Sequence, residues 1–315
     1  MDNRLTRALA FFCAAIISWC LPLASLAQDP ILPPVPPGYT LTLPATSLPP
    51  AEDLGSVQFI GNATVLLRYR GLTILTDPNF LHKGEQVHLG YGLHSERLTN
   101  PAIEIDALPP IDLVILSHLH EDHFDKVVQQ RLARDTPIVT TRESSEKLRR
   151  LGFTRRYPLS RWETLDVVKG DDIARITAMP GRHGPPLGAI LLPTVMGTMV
   201  DFSSKDGHTY RVYISGDTLV YDDIAEIPQR YPNVDLALLH LGGTRILGVM
   251  KVTMDGKDGV RMMQIIAPKR TIPIHFNDYD VFKSPLDDFR RAVDGAGLSE
   301  QVIYLPPGEI YRLGE

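Results

Sequence analysis

A chain of 315 residues, 43% hydrophobic and 22% charged, can bury one large core or two modest ones. Its formal net charge of -5 excludes the basic surplus expected of a dedicated nucleic-acid binder.

The first thirty residues differ in texture from the rest. Arg4 and Arg7 precede an apolar run from Ala8 to about Leu23, and Ser25-Leu26-Ala27 places small residues before a cut after Ala27. This order reads as a signal peptide over residues 1–27, with export to the periplasm or the medium and no stable membrane span after cleavage. Retention as an N-terminal anchor is the alternative, because the run approaches the ~20 residues that cross a bilayer. Bulky Trp19 before Cys20 disfavours a lipoprotein, and the lack of an Arg-Arg pair favours the general secretion route. Both cysteines, Cys13 and Cys20, fall inside this segment. The mature chain therefore has no disulfide, no cysteine nucleophile and no thiolate ligand.

Residues 28–50 contain eight prolines and read as an extended, semi-rigid arm. From Gly55 the pattern becomes that of an α/β protein, and one hydrolase-sized domain over 51–315 is the simplest division. "SVQFI", "TVLLRY" and "LTILTD" are short β-rich runs separated by turns, as in a meander. "IDLVILS" is an apolar run of the buried-strand type, and "DHFDKVVQQRLARD" after it has helical spacing. Further strands are expected at "IARITAMP", "TMVDF", "YRVYISGD", "DLALLHL" and "RTIPIHF", and helices at "DGKDGVRMMQIIAP" and "SPLDDFRRAVDGAG".

The stretch "SHLHEDHFD" (117–125) carries the most chemistry. His118, His120, Asp122 and His123 lie where a buried strand gives way to a helix. Side chains two apart in an extended segment point the same way, so His118 and His120 can share one cation. Asp122 and His123 on the following turn can reach a second. Imidazole and carboxylate donors without thiolate suit zinc, and also manganese or iron. The motif cannot complete two sites alone. His183 in "PGRHGP", Asp217 ending "YRVYISGD" and His275 ending "RTIPIH" each follow a β-rich run, where distant strand ends can converge.

This set resembles the metallo-β-lactamase superfamily. More narrowly, "FIGNATVLLRYRGLTILTDPNF" followed by "LPPIDLVILSHLHEDHFD" is similar to the branch with ascorbate-phosphate lactonases and N-acyl-phosphatidylethanolamine phospholipase D. The resemblance implies an α/β fold, a four-layer αββα sandwich with two divalent metal ions at one edge between the sheets. It implies that His118, His120 and His183 bind one metal, that Asp122, His123 and His275 bind the other, and that Asp217 bridges them. Asp77 in "LTDP" is similar to a carboxylate of that branch that orients a ligand histidine. The chain departs from the pattern at Gly61-Asn62-Ala63, where the branch has a histidine and Asn62 can still donate a hydrogen bond, and at His240, where relatives carry a small residue and which reads as lining the pocket or as a core histidine. Zinc β-lactamases use a cysteine ligand, which argues against antibiotic hydrolysis here.

A metal pair of this kind lowers the pKa of bound water toward ~7. The expected function is secreted, metal-dependent hydrolysis of an ester-like bond, a phosphodiester or a lactone, by a metal-bridged hydroxide aimed by Asp122. A non-catalytic metal-binding protein and a nuclease are the alternatives. The expected partner is a small-molecule or lipid-like ester, with no nucleic acid. The apolar stretch 184–200 reads as a lipid-contacting wall or as two core strands joined by a proline turn. His82, His88 and His94 read as polar groups of a loop over the pocket, Arg182 as a candidate contact for an anionic substrate, and Asp125 as facing solvent or the helix start.

Overall fold

The computed structural model describes residues 38–45, 54–90, 92–186, 192–246 and 248–314. The expected signal peptide lies outside the described residues, among which no helix is long and apolar enough to cross a membrane.

Strand β1 (Tyr39–Leu43) is followed by β2 (Gly55–Gly61), β3 (Thr64–Tyr69) and β4 (Leu72–Thr76), the last three being the expected meander. A hairpin of β5 (Gln86–His88) and β6 (His94–Glu96) precedes β7 (Leu113–Ile115). Then come α1 (Lys126–Arg131), β8 (Ile138–Thr141), α2 (Arg142–Arg150), β9 (Arg156–Leu159), β10 (Thr164–Lys169) and β11 (Asp172–Met179). The chain continues through β12 (Gly197–Ser204), β13 (Thr209–Ile214), α3 (Glu226–Arg230) and β14 (Leu236–His240). A second hairpin, β15 (Arg245–Ile246) and β16 (Met250–Lys251), leads to α4 (Gly256–Ile266), β17 (Arg270–Ile274), α5 (Leu286–Ala296) and β18 (Ile310–Arg312).

Two seven-stranded sheets result, one ordered β18-β2-β3-β4-β7-β8-β9 and the other β1-β10-β11-β12-β13-β14-β17. Their facing sides share one core. Val65 and Leu67 of β3, alternating with outward Leu66, meet that core with Ile176, Val200, Val212 and Ile274 of the other sheet. Leu66 and Leu75 on the outer side pack with Val128 and Leu148 of α1 and α2. On the far side Met199, Tyr213 and Leu239 pack with Val260 and Met263 of α4 and Phe289 of α5. Fully burying each such side chain stabilises by roughly 1.5–3 kcal/mol. Helix, sheet, sheet, helix is the expected αββα sandwich.

One expectation is corrected and one open choice is decided. The proline-rich arm 28–50 is not wholly outside the domain, because Tyr39–Leu43 pairs in parallel with β10 and buries Leu41. This stretch is free of proline, so its N–H groups can join a ladder. Of the two readings of Asp125 the helix start holds and solvent does not: it is fully buried, caps α1 by accepting from Val128 N–H at 2.8 Å, and accepts from the Phe80 and Leu81 N–H groups. The expected helix shortens accordingly to Lys126–Arg131, with Phe124 in the turn before the cap.

Candidate metal centre

The candidate ligands lie beyond strand ends at one edge of the sandwich. His118 and His120 follow β7, His183 follows β11, Asp217 follows β13 and His275 follows β17. The fold brings the seven together in two groups, His118, His120 and His183, and Asp122, His123, Asp217 and His275, with potential donor atoms within 4.8 Å of one another in each. In the first, His118 Nε2 lies 3.0 Å from His120 Nδ1, and the His183 ring is 5.2 and 5.3 Å from the other two. In the second, His123 Nε2 is 3.3 Å from Asp217 Oδ2, and His275 Nε2 is 3.4 Å from Asp122 Oδ2. Rings of His118 and His123 lie 4.2 Å apart, so the two groups adjoin.

Backbone geometry holds these side chains. His275 has φ 59°, Asn62 52° and Asp77 34°, left-handed conformations that cost of order 1–3 kcal/mol each and persist only where the surroundings enforce them. Asn62 does much of the enforcing. Its Nδ2 donates to the Asp122 carbonyl at 2.6 Å, its carbonyl accepts from His275 N–H at 2.7 Å, and its own N–H donates to Asp278 Oδ2 at 3.0 Å. Arg97, fully buried, ties Asp278 (3.4 Å), Asn79 and the Thr99 carbonyl together beneath this bracket. The asparagine that departs from the branch pattern thus lies buried behind the ligands, outside the cleft lining.

Asp77 Oδ1 accepts from Ser117 N–H at 2.7 Å, fixing the residue before His118, while Oδ2 lies 3.3 Å from His123 Nδ1 and 3.2 Å from His240 Nε2. It therefore turns the Nε2 of His123 toward Asp217. His240 is fully buried and also reaches Ser215 Oγ at 3.3 Å, so it supports Asp77 and does not line a pocket. His183 is oriented by the Val252 carbonyl, 2.8 Å from Nδ1. Arg182 binds through its backbone to Thr218 and Leu219 beside Asp217, but its guanidinium lies over the Tyr221 ring at 4.1 Å and not in the cleft.

The electrostatics of the two groups differ. Burial, reinforced by neighbouring imidazoles, holds His118 well below the usual imidazole range and brings His120 down to about 3. These rings are neutral donors. Around His123 burial also disfavours the charged ring, yet Asp217, Asp122 and Asp77 outweigh it and raise its pKa well above the usual value. Burial likewise opposes ionisation of Asp77, but His123 and His240 prevail and hold its carboxyl at about 2.

These residues fit a bound cation on a direct observation. Asp122 Oδ1, Asp217 Oδ1 and His123 Nε2 are buried without a hydrogen-bond partner. Leaving such atoms unpaired costs about 1–3 kcal/mol apiece, more when charged. Divalent ions would satisfy them, and no cysteine lies among the described residues.

Above the centre opens a cleft with a cavity of about 80 Å³. Leu89, Leu93, Leu192, Ile246, Val252 and Val281 form apolar walls, and His94, Thr244, Arg245 and Thr253 are its remaining polar lining besides the cluster. The two hairpins bracket it. The loop expected over residues 80–100 is thus partly an ordered hairpin, pinned by the His88 N–H donating to Glu121 Oε2 at 2.7 Å. Of the apolar stretch 184–200, residues 187–191 lie outside the described residues; Leu192 lines the cleft, while Val195 and Met196 are buried, Met196 N–H donating to the Ser117 carbonyl at 3.1 Å.

The family model described as "Beta-lactamase superfamily domain" matches residues 73–276. A UPF0173 metal-dependent hydrolase of Nanoarchaeum equitans is 25% identical over 211 residues, 67% of this chain and 90% of that one. One from Methanosarcina mazei is 27% identical over 242 residues, 77% of this chain and 98% of the relative. Among solved structures, the isothiocyanate hydrolase from Delia radicum gut bacteria superposes with a TM-score of 0.69 at 22% identity, covering 82% of this chain and all of that one. With the fold, the His/Asp clusters and the family match in agreement, the chain belongs to the β-lactamase superfamily domain family and is a metal-dependent hydrolase of the metallo-β-lactamase superfamily.

Proposed function

We propose that the protein is an exported hydrolase that cleaves an ester-like bond, a phosphodiester or a lactone, in a small or lipid-like substrate with an apolar part. The observation that carries this reading is the seven-residue His/Asp cluster at the floor of a cleft walled by leucine, isoleucine and valine. His118, His120 and His183 would hold one divalent ion and Asp122, His123 and His275 a second, with Asp217 between them and zinc the expected metal. When bound, such a pair supplies Lewis acidity toward a carbonyl or phosphoryl oxygen and a water acidic near neutral pH. The chain's own groups do the rest. Asp122 Oδ1 is free of other partners and can accept a hydrogen bond from the attacking water, aiming it at the substrate. The apolar walls exclude bulk water and strengthen each charge interaction at the floor.

The branch likeness of the segments around Asp77 and His118 favours phosphodiesters and lactones over β-lactams, and the acidic balance disfavours nucleic acid. The test is a panel run on metal-replete protein: chromogenic phosphodiesters, aliphatic and aryl lactones, a cephalosporin, single-stranded RNA and an aryl isothiocyanate. Turnover of a phosphodiester or a lactone above the others is the expected result. Preferential turnover of the cephalosporin, the RNA or the isothiocyanate would overturn it. Export has its own check. Mass spectrometry of the periplasmic or secreted protein should place the N-terminus at Gln28, and an intact Met1 in a membrane fraction would contradict cleavage.

A further inference from the structure

Hydrolysis of an alkyl ester or lactone leaves an alkoxide, which is a poor leaving group unless it is protonated as the bond breaks. The five histidines and Asp217 cannot serve this need once they hold cations, because their lone pairs are then engaged, and the free oxygen of Asp122 is taken by the attacking water. Among the other described side chains that line the cleft, Thr244 and Thr253 are hydroxyls that do not ionise near neutral pH, and Arg245 keeps its proton. That leaves His94.

His94 stands on β6, directly across the hairpin from His88, with the two rings edge to face at 5.0 Å. Its ring lines the same cleft as Asp122 and Asp217, yet the residue is also exposed to solvent, so it can recover a proton from bulk water. The strand that carries it is held firmly. The neighbouring Ser95 hydroxyl donates to Asp280 Oδ1 at 2.6 Å, Glu96 N–H donates to the same oxygen at 3.1 Å, and Arg97 is locked into the bracket beneath Asn62. On the far strand the His88 N–H is tied to Glu121, inside the ligand motif. His94 is therefore fixed in position relative to the metal centre on both sides of the hairpin.

We propose that His94 is a catalytic residue, the acid that protonates the leaving oxygen, an assignment that rests on the ester-hydrolase reading above. As the oxygen of water joins the carbonyl carbon or phosphorus, the bond to the leaving oxygen breaks and its electron pair stays on that oxygen. The oxygen takes the proton from the His94 imidazolium and departs as an alcohol. His94 then regains a proton from solvent, while the new acid product releases one.

The test uses metal-loaded His94→Gln and His94→Ala with substrate pairs that differ in how much their leaving group needs a proton. Dihydrocoumarin and δ-decalactone form one pair, bis(p-nitrophenyl) phosphate and diethyl phosphate the other. For the class the unmodified enzyme hydrolyses, kcat on the alkoxide-leaving member should fall about 100-fold in both variants, at the low end of general-acid effects. On the phenolate-leaving member the loss should stay below about 3-fold. Metal content should match that of the unmodified enzyme, and added imidazole should restore part of the alkoxide rate in His94→Ala. Equal losses on both members, or no loss on either, would overturn the assignment alone. Absence of turnover of all four compounds by the metal-loaded, unmodified enzyme would remove the ester-hydrolase reading and this assignment with it.

Discussion

The two groups of candidate ligands are neighbours, but they are built on different principles. His118, His120 and His183 form a neutral set: burial keeps their rings unprotonated, and His120 is only half-buried. Asp122, His123, Asp217 and His275 form an anionic, wholly buried set, in which two carboxylates bear on His123 from one side and Asp77 from the other. The neutral set can stand without a cation at modest cost. The anionic set needs positive charge, and in its absence draws a proton onto His123. A divalent ion at the anionic set should accordingly be held the more tightly.

The sharpest way to break this comparison is Asp122→Asn. It removes one of the carboxylates and the acceptor proposed to aim the water, while leaving the neutral set intact. Loss of one oriented, charge-assisted interaction in a transition state costs ~3–4 kcal/mol. Steady-state kinetics on the best substrate should therefore show kcat reduced about 100- to 1000-fold, with one metal equivalent retained. Turnover within threefold of the parent, with full metal, would show that the charge of the second set is not what directs the reaction.

Next in size are effects on metal content. His118→Ala or His183→Ala should reduce elemental analysis from about two equivalents to about one, and so should His275→Ala, each through its own set. A dilute chelator should strip the neutral set first from the unmodified protein. Release from the anionic set first would reverse the comparison.

Smaller effects should come from the backbone where the two sets adjoin. Gly216 has φ 61°, and a Cβ there would lie 2.7 Å from the Met196 carbonyl oxygen and 3.1 Å from Ser117 Cβ. Gly216→Ala should cost about 1–3 kcal/mol. By calorimetry that would lower Tm by roughly 5 °C for a domain of this size. Asp125→Asn should be milder still. It weakens the helix cap and the bonds to Phe80 and Leu81 by about 1–2 kcal/mol without touching either ligand set, so activity should stay within tenfold. A loss as large as that of Asp122→Asn would place Asp125 in the chemistry.

What could be read from the amino-acid order follows the same division. The neutral and anionic donors were legible because their chemistry is local: His118 to His123 are nearly contiguous, and His183, Asp217 and His275 each end an apolar run. Asp77 was legible through its resemblance to other chains. The bracket around Asn62 was not, because its partners Asp122, His275 and Asp278 lie 60 to 216 residues away and no spacing rule links them. Buried Arg97 gave no signal, since an arginine in a polar stretch ordinarily stays in water. Strand β1 was hidden by the surrounding prolines. Strand β8 escaped because it is only four residues long, and β9, β10 and helix α2 because they mix charged with apolar residues.

The bracket has a consequence for which ion the centre accepts. Asn62 joins the Asp122 and His275 backbones through a single residue, so two of the four corners of the anionic set are spaced before anything enters. A cage with clamped corners does not stretch or shrink to suit its guest. It should discriminate among divalent ions by radius, while the neutral set, whose three imidazoles come from two loops with no such clasp between them among the described residues, should adapt to ions of several sizes.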